Sequence, residues 1–402
     1  MKIGILTYHS VYNFGANLQC YSTVSYLKEK GFEPIVINWI PLDLESKYNK
    51  EVSQEQALAH QKFVEDYLPL SIKCRTSKDV ANIIKDENIK LVIIGSDAVL
   101  QHRTFFDRIK ISKKYIRLDE KLSNEIFPNP FWGEFIDFID EDIPIALMSA
   151  SSQNINFKII RGGLKRKIGK MLLRFNVITV RDKWTQKMVE YFTKSKVSPK
   201  ITPDPVFAFN QNIPEQISKE EILKKYNLPE NYILLSFYGK HTISQSWVDE
   251  FQALTNEQGK ECVFIPTPEG MNPFKNVKTI SLPVSPMDWY GLIKYSSAYI
   301  GERMHPVIVA LHNQVPFFSF DKYGIRKFKY FINTKSSKIY DLLLRAGYLD
   351  YYVNVLNRDY KSPEPVYVLN KINDFDHIKN ENFVKSMYES YNELMSEITG
   401  LI

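Results

Sequence analysis

The chain has 402 residues, with 44% hydrophobic and 24% charged side chains and a formal net charge of +6. That length is too great for one ordinary core and implies two domains of a globular protein. The charge is too modest, and motifs too absent, for nucleic-acid binding. Three scattered cysteines, Cys20, Cys74 and Cys262, form no CxxC or Cys/His cluster, so neither a disulfide framework nor a zinc site is expected.

Met1-Lys2-Ile3-Gly4-Ile5-Leu6 enters a strand at once, without the apolar h-region of a signal peptide. No apolar run approaches the roughly 20 residues that span a bilayer, so a cytoplasmic protein is expected. Strand-like runs then alternate with helical periods, the pattern of parallel β-α-β units. Lys2–Leu6 is the first strand. Ala16–Lys30 follows as an amphipathic helix with Leu18, Tyr21, Val24 and Leu27 on one face, and Glu33–Asn38 is the second strand. The turn between them, Thr7 to Gln19, is no GxGxxG fingerprint, so a dinucleotide site is not supported. Its Asn13, Gly15 and Asn17 either present donors to a ligand or cap the helix and tighten the turn.

Helices are expected at Gln54–Tyr67 and Lys158–Arg174, and strands at Lys90–Ile94, Ile143–Met148 and Val177–Val180. The stretch Val99–Glu141 lacks periodicity and carries an aromatic loop, Phe127-Pro128-Asn129-Pro130-Phe131-Trp132-Gly133. Its rings suit sugar faces or pack the loop down with equal ease. The helix 158–174 is basic and amphipathic, which suits an anionic lipid surface. A sheet-packed helix with a solvated basic face is the preferred reading.

Turn-rich residues from Pro203 to Pro214 mark the inter-domain link. Three regions follow: an N-terminal Rossmann-like domain over 1–212, a C-terminal one over 213–335, and a helical tail over 336–402 that packs back across both. In the second half, Tyr232–Phe237, Cys262–Pro266 and Pro316–Phe320 read as strands and Ser244–Asn256 as a helix. Ser285-Pro286-Met287-Asp288 opens another helix, with serine at the N-cap.

Three strand ends carry charge: Gly95-Ser96-Asp97, Val180-Arg181-Asp182, and Ile300-Gly301-Glu302-Arg303-Met304-His305-Pro306, where Pro306 reads as the first helical residue. Asp97 could be a helix cap and Arg181-Asp182 a surface pair. However, ligands in open α/β sheets collect at strand carboxyl ends facing helix N-termini, where an arginine fork fits phosphate or carboxylate. The pairing of Arg303 with His305 favours function.

Taken in order, Asn13-Phe14-Gly15-Ala16-Asn17-Leu18-Gln19, Gly95-Ser96-Asp97, Val180-Arg181-Asp182, Asp204-Pro205 and Arg303-Met304-His305 resemble the polysaccharide pyruvyl transferase family over ~300 residues. The resemblance implies two Rossmann-like domains facing a cleft, as in GT-B glycosyltransferases. It also implies an enzyme of exopolysaccharide or capsule biosynthesis that needs no cofactor or metal. Such an enzyme moves pyruvate from phosphoenolpyruvate to hydroxyls of a sugar in a polysaccharide or lipid-linked oligosaccharide, at or near the cytoplasmic membrane face. A ketal forms and phosphate leaves. The implied roles are His305 as general acid, Asp97 as acceptor of the hydroxyl proton, and Arg181 and Arg303 as donor-binding cations, with Arg303 also catalytic. The acceptor lies toward the N-terminal domain, near Asn13, Asn17, Phe131 and Trp132, and the donor toward the C-terminal one.

The sequence departs from the family in two places. Ala98-Val99-Leu100 stands where Gln-Val-Trp is common, and Pro306 where glycine is frequent. Two alternatives are a GT-B glycosyltransferase using a nucleotide sugar, with Glu302 or Asp321 near the ribose, and a non-catalytic carbohydrate-binding relative.

Overall fold

The computed structural model describes residues 1–48, 50, 52–111, 116–153, 155–238, 242–270, 274–328 and 331–402. Two six-stranded parallel sheets carry the fold. Across the first lie Glu33–Val36, Lys2–Leu6, Leu91–Asp97, Ile145–Ala150, Val177–Val180 and Lys200–Ile201. Across the second lie Lys278–Thr279, Glu261–Phe264, Tyr232–Ser236, Ala298–Gly301, Phe317–Asp321 and Tyr352–Asn354. Both sheets are covered by helices, which is why their central strands read as unbroken apolar runs such as Leu91-Val92-Ile93-Ile94.

Counted within its own half, the second sheet has strand order 3-2-1-4-5-6, the doubly wound order. The strand order reverses between Tyr232–Ser236 and Ala298–Gly301, and the latter strand runs straight into Glu302-Arg303-Met304-His305. In the first sheet the reversal falls between Lys2–Leu6 and Leu91–Asp97, so Asp97 ends a strand at that switch point. Topology alone thus aims both charged strand ends at ligand-binding crevices.

The halves pack closely. Phe14, at the start of the helix Phe14–Glu29, stacks between His60 of the first half and Trp289 of the second, with centroids 5.0 and 5.3 Å away. The buried Gln56 amide pairs with the backbone of Val284, donating to its carbonyl at 2.8 Å and accepting from its N–H at 2.9 Å. Within the first half, Ser22 donates to the carbonyl of Pro205, at the start of the linker, at 2.8 Å.

Several expectations shift in detail. The region 336–402 is not wholly helical, because Tyr352–Asn354 pairs with Ser319–Asp321 and completes the second sheet. Three residues are too few to show alternation. The tail's last helix, His377–Thr399, packs on Pro205–Ala208 and on Met304–His312. The helix around the basic segment spans only Gly162–Leu172, after a short turn at Phe157–Ile159. Its Ile168 and Leu172 are fully buried, and it packs on Lys183–Thr193, so that apolar face is taken up by the domain itself. Pro306 is the third residue of its helix, which begins at Met304. Proline fits there because the first four N–H groups of a helix have no partner within it. No helix among the described residues is long and apolar enough to cross a membrane.

Removing the Gln56 amide strands the buried N–H and C=O of Val284. Gln56→Ala should therefore lower stability by about 2 kcal/mol in urea unfolding. An unchanged midpoint would mean the amide does not clamp the halves.

Candidate functional site

Asp97 closes its strand in the left-handed region, with φ of 77°, and its side chain is largely buried. Such a backbone is several-fold more common for Asp than for most residues. Two contacts secure this strand end. Gln19 accepts from the Ser96 N–H at 3.1 Å and donates to Thr7 Oγ1 at 2.8 Å. Thr7 Oγ1 in turn donates to the Ser96 carbonyl at 3.0 Å.

Arg181, the residue after Val177–Val180, is 2% exposed. Its Nη2 donates to Asp97 Oδ1 at 2.7 Å and its Nη1 to Asp204 Oδ2 at 2.6 Å. Asp204 is fully buried and caps the short turn Pro205–Ala208, accepting from the Val206 N–H at 3.0 Å. From the other half, His305 Nε2 stands 3.5 Å from the same Asp204 oxygen. That is close enough for charge attraction, though the atom is not aligned as a hydrogen bond and has no partner among the described residues. Lys338, first residue of the helix Lys338–Ala346, completes the cluster as an electrostatic neighbour of Asp97, Arg181 and Asp204.

These charges set one another's state. Burial pushes the Asp97 carboxyl up, but Arg181, Lys338 and His305 outweigh it and hold it below the usual range. Burial acts likewise on Asp204, and His305 with Arg181 outweighs it, leaving that carboxyl far below its ordinary value. Lys338 goes the opposite way. Burial and the positive charge of Arg181 bring its ammonium down to about 8, despite Asp97 and Asp204.

The reach of His305 into the first half depends on Gly15. A Cβ at Gly15 would lie 2.1 Å from His305 Cγ, so only a glycine lets the imidazole approach this closely. Gly15 is thus a contact surface rather than the tight turn that its sequence context indicates.

The expected residues therefore separate. Asp97, Arg181 and His305 converge. Arg303 is not in this cluster: it precedes the helix Met304–His312 without a side-chain capping bond, is about one-third exposed and has Glu269 at 3.5 Å. Arg181 has both terminal nitrogens engaged by carboxylates, so what it visibly holds is Asp97 and Asp204 rather than an open anion site.

The expected acceptor residues are mostly structural. Asn13 caps the first helix, accepting from the Ala16 N–H at 3.3 Å. Asn17 is fully buried, donating to the His9 carbonyl at 2.7 Å and contacting His60 Nδ1 at 2.9 Å. Phe131 and Trp132 are 2% and 0% exposed and so present no face to a sugar. Phe131 packs on Tyr8 and Trp39, and Trp132 donates to the Gln101 carbonyl at 3.1 Å. Apolar burial drew these rings into the core.

The two carboxylates considered for a nucleotide ribose are also engaged. Glu302 accepts from the Tyr238 N–H at 3.0 Å, from Lys322 at 2.5 Å and from Thr242. Asp321 accepts from the Tyr323 N–H and the Tyr352 hydroxyl, each at 2.8 Å. No group of metal-ligating side chains occurs among the described residues.

Asp204 and Lys338 were not among the expected site residues. Asp204-Pro205 carries the signature of a capped turn, and nothing local marks Lys338, whose role comes from tertiary placement.

Two Rossmann-like domains meeting at a cleft define the GT-B-like class. A family model for polysaccharide pyruvyl transferase matches residues 13–322, and the chain belongs to that family, one of transferases acting in polysaccharide biosynthesis. No curated protein matches it by sequence. Among solved structures, it is similar to UDP-GlcNAc 2-epimerase from Methanocaldococcus jannaschii, with TM-score 0.53 and 10% identity over 97% of this chain and 100% of that one. It is also similar to spinosyn forosaminyltransferase SpnP, with TM-score 0.50 and 10% identity over 99% of each chain. At such identities the likeness concerns the fold.

Because the Asp204 carboxyl is depressed, its contribution to stability is complete above its unfolded value near 4 and is lost as pH falls through its folded value. Asp204→Asn should cost about 3 kcal/mol at pH 7 and flatten the acid-side decline measured by denaturant titration below pH 4. Parallel pH curves for variant and wild type would contradict this.

Proposed function

We propose that the chain transfers the pyruvyl unit of phosphoenolpyruvate to two hydroxyls of a sugar in a polysaccharide or lipid-linked oligosaccharide. A cyclic ketal forms and phosphate is released. The observation that carries this reading is the convergence of His305, from one half, on the Asp97–Arg181–Asp204 cluster of the other.

Phosphoenolpyruvate brings a phosphate and a carboxylate on a three-carbon enol. Arg303, Lys338 and the N-terminus of the helix Met304–His312 supply positive potential without a metal. His305 gives its proton to the methylene carbon, which becomes the methyl group, and C2 takes on oxocarbenium character. One sugar hydroxyl attacks C2 and passes its proton to Asp97, which Arg181 keeps ionised and oriented. The second hydroxyl attacks C2 as the C–O bond to phosphate breaks, the bonding pair leaving with phosphate. Of the two hydroxyl protons, one restores His305 and the other departs on the phosphate. Asp204, held ionised by its charged neighbours, lies 3.5 Å from His305 Nε2 and so faces the ring that begins the cycle.

A nucleotide-sugar donor is disfavoured by the engagement of Glu302 and Asp321 within the second domain. Isothermal titration with phosphoenolpyruvate against UDP- and GDP-sugars separates the two. A glycan signal without phosphate release from any donor would point instead to a non-catalytic relative.

His305→Ala should reduce phosphate release from phosphoenolpyruvate, with acceptor present, by about 10²- to 10⁴-fold, and Arg303→Ala should raise the donor KM. Near wild-type rates in both would sink the assignment. Lys338 is charged below about 8, so donor binding should weaken as pH rises through that value. The KM for phosphoenolpyruvate measured from pH 6 to 9.5 should show this limb, and Lys338→Met should lack it.

A further inference from the structure

A cavity of about 500 Å³ opens at the carboxyl ends of Lys2–Leu6 and Glu33–Val36, walled by the helices Leu42–Tyr48 and Gln54–Tyr67. No residue of the reaction cluster lines it. It nevertheless lies on the same sheet edge, because Asp97 ends the strand immediately beside Lys2–Leu6, about 5 Å away across the ladder.

Its lining chemistry is specific. Tyr12 and Tyr48 bring two rings into the wall, with centroids 5.9 Å apart. Lys73 is the one cation among the lining residues, and it is committed to Glu45 at 2.9 Å, while Glu45 is also held by Arg75 at 2.6 Å. Among the described lining residues the cavity therefore offers no unpaired cation for a phosphate, a diphosphate or a lipid headgroup. It offers aromatic faces together with the Gln61 amide, which donates to Glu65 at 2.8 Å and keeps its oxygen as an acceptor, a mixture suited to the apolar faces and hydroxyls of neutral sugars.

A second observation is the orphaned nitrogen of His60. The Asn17 amide donates to the His9 carbonyl and so turns its oxygen to His60 Nδ1, at 2.9 Å. Nδ1 must then carry the hydrogen and Nε2 the lone pair. The residue lines the cavity, its ring is 2% exposed and covered by Phe14 and Tyr12, and Nε2 is shut off from solvent with no partner among the described residues. Burial brings the imidazole down to about 3, so at neutral pH it stays an uncharged acceptor. A buried acceptor without a donor is costly, and a ligand hydroxyl that reached it by displacing the side chains over it would relieve that cost.

We propose that this cavity is a glycan subsite that holds neutral sugar units of the acceptor beyond the one at Asp97, with Tyr12 and Tyr48 supplying ring faces and His60 Nε2 accepting from a sugar hydroxyl. The term acceptor rests on the pyruvyl-transfer reading, whereas the binding chemistry of the cavity does not.

The test uses the whole chain on an array of neutral, acidic and phosphorylated glycans, as wild type, Tyr48→Ala and Ala57→Phe, the last filling the cavity from its half-buried wall. Thermal unfolding midpoints establish that a variant is folded, and either variant suffices. Neutral glycans of two or more sugars should bind the wild type, and each folded variant should bind them at least 10-fold more weakly. Titration with phosphoenolpyruvate should give the same affinity in all three proteins. The proposal is overturned if no neutral glycan binds, if only acidic or phosphorylated ones do, or if folded variants bind like wild type. Failure of phosphoenolpyruvate to bind any of the three would remove the pyruvyl-transfer reading and leave the array result standing.

Discussion

The whole site hangs on one buried guanidinium. Arg181 is out of water, and a charge so placed persists only when it is paired and hydrogen-bonded. It meets that requirement with two carboxylates from separate parts of the first domain, Asp97 at one strand end and Asp204 at the linker. The same contacts fix where Asp97 points, keep it ionised, and leave Asp204 as a negative partner for an imidazole arriving from the second domain. The structural ion network and the candidate site are therefore the same object. This is also why Arg181 orients Asp97 rather than offering an open anion site.

The domain boundary bears on the same chemistry. His305 can meet Asp204 only because Gly15 lacks a side chain, and the first helix that carries Gly15 is held to the second half through Phe14, Trp289 and the Gln56–Val284 pair. His305 and the carboxylates belong to different domains, so their distance depends on domain packing rather than on local geometry. The linker contributes directly, since Asp204 begins the segment on which the C-terminal helix His377–Thr399 rests.

Much of the fold was legible because parallel strands covered on both faces announce themselves as apolar runs, and helices by their period. The charged strand ends were legible for a topological reason: Asp97 and Arg303-Met304-His305 follow strands at switch points. What was not legible arose from tertiary contact. Lys338 sits in a region whose local pattern is merely helical. Tyr352–Asn354 is too short to signal a strand. Phe131 and Trp132 looked available to a sugar because sequence shows an aromatic's chemistry but not its burial, and here the hydrophobic effect has claimed both rings.

The turn between the first strand and first helix connects these threads. Its asparagines looked like ligand donors, yet Asn13 is spent on capping and Asn17 on fixing His60. Asn17 acts at one remove: by setting the tautomer of His60 it decides that the orphaned nitrogen is an acceptor. Its neighbours Gly15 and Gln19 act on the other side of the same turn, Gly15 admitting His305 and Gln19 securing the strand end that carries Asp97. One short segment thus builds both the charged cluster and the adjoining cavity wall, with these four residues spent on structural contacts. A motif of this kind is better explained by the two surfaces it positions than by any contact it makes with substrate.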